Sequence, residues 1–246
     1  MQLVEIPVPD GTAEAYVARP ASGQGAGVLF FMDAIGLRPR IAEMADRIAS
    51  WGYVVLAPNV FYRNGSAVAT SPDVAFLDGE ARDEFFKGAM QRVGALTPDR
   101  ARADIAAYLE ALRTVPGAGA GPVGTVGYCM GARLAVRAAT GHPDDVVACG
   151  GFHGGGLVTD DADSPHRGLS SARAEFVFGH ADHDRSMPPE AVAALGQALD
   201  EAGLTARNEV YPGAGHGYTM ADTAVFDETA TERHFRELEA LFARTL

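Results

Sequence analysis

Between residues 127 and 131 the chain reads Gly-Tyr-Cys-Met-Gly, a cysteine with a glycine two places to either side. An apolar run, Val123–Tyr128, leads into it, and an Ala- and Leu-containing stretch of helical pattern, Ala132–Thr140, leads out. This context calls for a strand turning sharply into a helix, because so tight a turn leaves no room for flanking β-carbons and holds its central residue in a strained conformation. Two chemical gains come with that place. The helix N-terminus favours a thiolate at Cys129, and the Met130 backbone N–H can serve as an oxyanion donor. The competing reading is a small buried hydrophobe, the usual use of a free cysteine. That reading suits Cys149, which sits inside an apolar strand without any flanking motif.

The rest of the chain supplies the layers such a turn needs. Leu3–Val8 and Ala13–Arg19 read as an opening hairpin, and Gly27–Met32 and Tyr53–Ala57 as the continuous apolar runs of buried parallel strands. Between these two runs, Ile41, Met44, Ala45, Ile48 and Ala49 recur at helical spacing over Pro39–Ser50. Further on, Pro98–Arg113 is predicted as a helix, Val146–Phe152 and Ala174–Phe178 as strands, Pro188–Ala202 as a helix and Arg207–Tyr211 as a strand. A closing helix is predicted from about Thr223 to Arg244. Strands alternating with helices imply a mainly parallel twisted sheet with helices on both faces, in one domain over residues 1–246. Residues 62–96 break the rhythm, rich in Gly, Asp and Ser and then weakly helical, and are expected as an irregular excursion over the active-site side. The glycine-rich stretch Gly117–Gly124 precedes a strand instead of following one, the wrong placement for a dinucleotide loop.

Composition narrows the function. With 246 residues and 47% hydrophobic content the chain can bury one sizeable core. No apolar stretch approaches the length of a membrane span, and the opening residues lack the basic and apolar regions of a signal peptide, so a cytoplasmic protein is expected. A net charge of −12 disfavours nucleic acid and anionic membranes as partners. Two cysteines are too few for a disulfide framework, and no His/Cys cluster has zinc-ligand spacing.

A nucleophile at such a turn needs an acid and a histidine, which follow it in that chain order at the C-terminal ends of later strands. His216 fits, on the glycine-rich loop Tyr211–Tyr218 just past the last predicted strand. His142, His166 and His234 have weaker claims from their positions, whereas His153 ends a strand and is better placed to line the pocket. Two acids compete on the loop Gly179–Pro188, Asp182 three residues after the glycine and Asp184 four before the proline that opens the next helix. Asp184 is preferred, because the helix start fixes the far end of the loop. A metal site built from His180, Asp182, His183 and Asp184 would lack any accompanying ligand cluster.

Taken together these residues resemble the dienelactone hydrolase (carboxymethylenebutenolidase) family, over most of the chain. The likeness rests on Phe31–Leu37, on Gly52–Asn59 leading to Tyr62 and Arg63, on the cysteine elbow, on the Asp184 loop and on Ala214–Gly217. The resemblance implies an α/β-hydrolase fold and a carboxylic-ester or lactone hydrolase with a Cys129–His216–Asp184 triad. It also implies a thioester acyl-enzyme, an oxyanion held by the Met130 and Ala34 N–H groups, and a gating role for Asp33 beside the resting thiol. Family members usually carry the longer glutamate at that position. Arg82, His153, Tyr128 and Met220 are expected around the substrate. Met220 stands where lactone-cleaving members hold the substrate carboxylate with an arginine, so dienelactone itself is not the expected substrate. No metal or organic cofactor is called for, a small-molecule ester or lactone is the expected partner, and a monomer or small homo-oligomer is expected. Two rival functions use the same residues differently: a non-hydrolytic binding protein on this fold, and a thiol redox protein, which would want a resolving thiol near Cys129.

Overall fold

The computed structural model describes residues 1–246. Eight strands form one sheet: β1 (Leu3–Val8), β2 (Gly11–Ala18), β3 (Gly27–Phe31), β4 (Val54–Pro58), β5 (Val123–Tyr128), β6 (Val146–Phe152), β7 (Glu175–Ala181) and β8 (Ala206–Tyr211). Their spatial order is β1-β2-β4-β3-β5-β6-β7-β8. The β1–β2 hairpin and the β2–β4 pair are antiparallel, and every pair from β4 across to β8 is parallel. In β3, β4 and β5 every residue is buried, as expected of strands covered on both faces.

Seven helices complete the layers: α1 (Pro39–Ser50), α2 (Ala67–Thr70), α3 (Gly79–Ala95), α4 (Pro98–Thr114), α5 (Met130–Gly141), α6 (Pro189–Glu201) and α7 (Glu228–Thr245). The chain steps from β3 to β4 in one direction and from β4 back past β3 to β5 in the other. Because such crossovers are right-handed, α1 and α4 must lie on opposite faces of the sheet. α7 joins α1, with Trp51 edge-on to Phe235 and Arg47 paired with Glu232. The reversal makes the β3/β5 boundary a topological switch point, where a crevice opens beyond the C-terminal strand ends. Ala34 follows β3 and Cys129 follows β5, so both flank that crevice.

Two expectations need correcting. The stretch from 62 to 96 contains a regular 17-residue helix, α3. Its pattern is hard to read because only Ala89 is buried, so it carries no broad apolar stripe. The closing helix begins at Glu228 instead of Thr223, because the Asp227 side chain accepts the Ala230 N–H at 2.9 Å and sets the helix start there. No helix is long and apolar enough to cross a membrane.

Candidate active site

Cys129 sits between β5 and α5 with φ 54° and ψ −120°, a conformation that side chains rarely adopt. The surroundings impose it. The Cys129 N–H donates to Phe152 O at 3.1 Å, and its carbonyl accepts from Ala132 N at 3.2 Å. The flanking glycines are required by close approach: a β-carbon on Gly127 would lie 2.1 Å from Gly131 O, and one on Gly131 would lie 2.4 Å from both Phe31 O and Met32 O. The elbow is therefore pressed against the end of β3, which is what brings Ala34 beside it. Met130 is the first residue of α5, so its N–H has no acceptor one turn back, and the Ala34 N–H makes no hydrogen bond within the chain.

His216 Nδ1 lies 2.6 Å from Asp184 Oδ2. The carboxylate is fixed from its other side by Ser186, whose N–H and Oγ–H donate to Asp184 Oδ1 at 2.8 and 2.7 Å. With Nδ1 committed to Asp184, Nε2 is the nitrogen left for the thiol. Burial alone would lower the His216 pKa, but its interactions with Cys129 and Asp184 outweigh it and raise the pKa to about 10. Burial opposes ionisation of Asp184, yet the bonds from His216 and Ser186 hold it below the usual carboxylate range. Asp182 is placed elsewhere: its carboxylate accepts the N–H groups of Gly213 and His183 and pins the two loops together. The other members of the imagined metal cluster diverge too, with His180 bonded to Asn208 at 2.6 Å and His183 almost fully exposed.

A cavity of about 60 Å³ lies over the thiol, lined by Asp33, Ala34, Arg82, Phe86, His153, His216 and Met220 among others. His153 is fully buried, with Nε2 2.8 Å from Thr219 Oγ1, and its burial pushes the imidazole well towards the neutral form. Tyr128 departs from expectation. It is absent from the cavity wall, stacks on Phe30 at 4.9 Å, and its hydroxyl meets His234 Nε2 at 3.1 Å in the core. A residue inside a strand alternates faces with its neighbours, and here Tyr128 takes the face turned to α7.

Asp33 also differs. Its carboxylate is held by Arg38, with Nη1–Oδ1 at 2.7 Å and Nη2–Oδ2 at 3.1 Å, and by the Ile35 N–H at 3.0 Å. It makes no hydrogen bond to Cys129. Arg38, itself buried, continues to Asp222, and its Nη2 lies 3.3 Å from Met220 Sδ. Sequence reasoning missed both Arg38 and Ser186. The spacing Asp184-x-Ser186 is a turn signal that could have revealed the second, since an aspartate readily accepts the N–H two residues on. Arg38 could have been suspected only by asking what would neutralise a shortened, buried acid. Cys149, in β6, is fully buried, and that burial pushes its thiol up to about 12, so it is no ready resolving partner for Cys129.

A mainly parallel sheet with a switch-point crevice, a residue strained at the elbow and a histidine–aspartate pair across from it define an α/β-hydrolase. The family model of the dienelactone hydrolase family matches residues 13–246, and the chain belongs to that family. It is a dienelactone-hydrolase-like hydrolase of the carboxylic-ester and lactone class. Among curated relatives, the carboxymethylenebutenolidase of Pseudomonas sp. (strain P51) is 27% identical over 241 residues, covering 94% of this chain and 90% of the relative. Among solved structures, the dienelactone hydrolase of Anabaena variabilis matches with a TM-score of 0.67 at 18% identity, over 100% of this chain and 97% of that one. A dienelactone hydrolase-like promiscuous phosphotriesterase from metagenomic libraries matches with a TM-score of 0.77 at 20% identity, over 99% and 97%. At these identities the structural matches speak for the fold.

Proposed function

We propose that the chain, as a single domain over residues 1–246, cleaves a small ester or lactone through a Cys129–His216–Asp184 triad and a thioester acyl-enzyme. The observation that carries this reading is the His216–Asp184 contact of 2.6 Å, with His216 and Cys129 lining one cavity. The Cys129 sulfur attacks the carbonyl carbon, forming a C–S bond and pushing the carbonyl electron pair onto oxygen. That oxyanion is taken by the Met130 and Ala34 N–H groups, which are preorganised donors at the elbow. As the tetrahedral species collapses, the C–O bond to the leaving group breaks and His216 passes its proton to the departing oxygen. Water then attacks the thioester, gives a proton to His216, and breaks the C–S bond to release the acid and restore the thiolate. Asp184 orients the imidazole throughout and stabilises its charged form.

In this reading Asp33 is no gate. Its carboxylate is committed to Arg38 at 2.7 Å and to the Ile35 N–H, and it makes no hydrogen bond to Cys129. The test is burst-phase hydrolysis of p-nitrophenyl acetate by the wild type and by Cys129→Ala, with intact-mass spectrometry of the enzyme. A burst and an acetyl adduct on Cys129, with turnover lowered by about four orders of magnitude or more in the variant, are expected. An undiminished rate in Cys129→Ala would end the proposal.

A further inference from the structure

Arg133 is the only partly buried arginine that has neither a carboxylate nor a carbonyl partner. It lies four residues after Cys129, and side chains on a helix lean towards its N-terminus, so Arg133 is directed back over the turn that carries the thiol. It runs alongside Gly156 at van der Waals distance: a β-carbon there would lie 3.6 Å from Cδ and 3.7 Å from Nη1. The loop bearing Gly156 is itself tied to the elbow through Gly155 N–H and Cys129 O at 3.4 Å. Burial weakens the guanidinium's hold on its proton, opposed only in part by the nearby Cys129.

Beyond Gly156 lies a cleft of about 570 Å³, lined by Arg133, Thr159 and, from α3, Met90 and Val93. The same helix covers the thiol cavity with Arg82 and Phe86. Positions 82, 86, 90 and 93 fall on one helical face, so the two clefts lie under consecutive turns of α3. The other guanidinium of the larger cleft, Arg137, is occupied, donating to the Asp163 carbonyl, and the Asp163 carboxylate is paired with Arg102 at 3.2 Å. Arg133 is the one guanidinium of this cleft without a hydrogen-bond or ion-pair partner, and the Asp161 carboxylate on the same wall accepts the Thr159 hydroxyl.

We propose that this cleft is a second substrate subsite, in which Arg133 takes a carboxylate carried several bonds away from the scissile carbonyl. The proposal rests on the hydrolase reading for its scissile bond. It differs in place from Arg82, which lines the thiol cavity at the other end of the α3 face.

Monomethyl esters of succinic, glutaric and adipic acid, and acetyl esters of the matching hydroxy acids, are compared with neutral methyl and acetyl esters of equal chain length. The ratio of kcat/KM values, anionic over neutral, is the readout. One charge-assisted contact predicts that Arg133→Met lowers this ratio about 10- to 100-fold at the best chain length. Arg133→Glu should reverse it in favour of amino-bearing esters, and the exposed Arg236→Gln should leave it unchanged. An unaltered ratio in Arg133→Met, or a ratio that collapses only in Arg82→Met, overturns the subsite. If no ester acylates Cys129, the hydrolase reading fails. Calorimetric titration of Cys129→Ala with glutarate and adipate then decides the subsite separately: binding lost on adding Arg133→Met upholds it, and no binding, or binding indifferent to Arg133, overturns it.

Discussion

Around the elbow, all six residues of β5 and eight of the twelve in α5 are buried, whereas α3, seventeen residues long and lying over the same cavity, buries only Ala89. The elbow takes its shape from core packing and from backbone atoms a few ångströms away, so its geometry is as stable as the sheet itself. α3 is held by few contacts, among them Arg92 donating to Thr70 O at 3.1 Å and, just before the helix, Leu77 N–H donating to Asp222 O at 2.9 Å. Regions with so little buried apolar surface open at a fraction of the global unfolding free energy. In the proposed reading the chemistry is thus placed on a rigid floor and the selection of substrate under a loosely docked roof.

The largest expected effect breaks the floor. Gly131→Val pushes a branched side chain into Phe31 O and Met32 O, where even a β-carbon would lie at 2.4 Å. Strand β3 and the elbow cannot both stay in place, and little or no soluble, cooperatively folding protein is expected. A urea transition at the wild-type midpoint would show that the elbow is not locked against β3.

Next in size is Asp184→Asn, which keeps the shape of the floor but removes the charge that His216 leans on. A loss of about 10³- to 10⁴-fold in kcat is expected, as for the analogous change in other triads. The imidazole, now lacking its carboxylate partner, should titrate below the value of about 10, in a shift visible by NMR of the ring nitrogens. A histidine whose folded pKa is raised contributes stability that is fully present below its unfolded pKa of about 6.5 and is lost as pH rises through the folded value. Wild-type stability should therefore decline between roughly those limits, and the decline should be smaller in Asp184→Asn. Identical pH profiles for the two proteins would argue that the pair is weak.

The same contrast explains which parts were legible in sequence. The elbow could be read because glycine spacing around a cysteine reports directly on steric crowding, and His216 because chain order restricts it to the last strand–helix loop. Asp184 and Asp182 stayed in competition because both lie in one polar loop, and the choice is made by Gly213, some thirty residues on, whose N–H occupies Asp182. Arg38 escaped notice because its second carboxylate, Asp222, comes from the far end of the chain. The length of α3 was hidden because a helix with one buried residue writes no periodic pattern. Tyr128 was misplaced because neighbouring strand residues face opposite ways, and adjacency to the nucleophile says nothing about sharing its cavity.

Arg38 joins the two regions, since it neutralises Asp33 on the floor and grips Asp222, whose backbone carbonyl receives the Leu77 N–H ahead of α3. Arg38→Gln strands a buried carboxylate, and about 3–5 kcal/mol of folding stability should be lost in urea denaturation. Adding Asp33→Asn removes the stranded charge and should restore part of that loss. Equal stabilities for the single and double variants would mean that Asp33 finds another partner when Arg38 is gone.

The smallest effect reverses the sign of a glycine substitution between the two regions. Gly94 lies in the last turn of α3 with nothing within 4 Å of where a β-carbon would stand. Gly94→Ala therefore meets no obstacle and removes backbone freedom from the unfolded chain, for a gain of about 0.5–1 kcal/mol in the helix. If α3 opens independently of the sheet, that gain should appear as slower hydrogen exchange within residues 79–95, while protection of β5 and α5 is unchanged. Equal slowing in both regions would mean that roof and floor unfold as one unit. The contrast between them would then describe burial alone and not how the molecule opens.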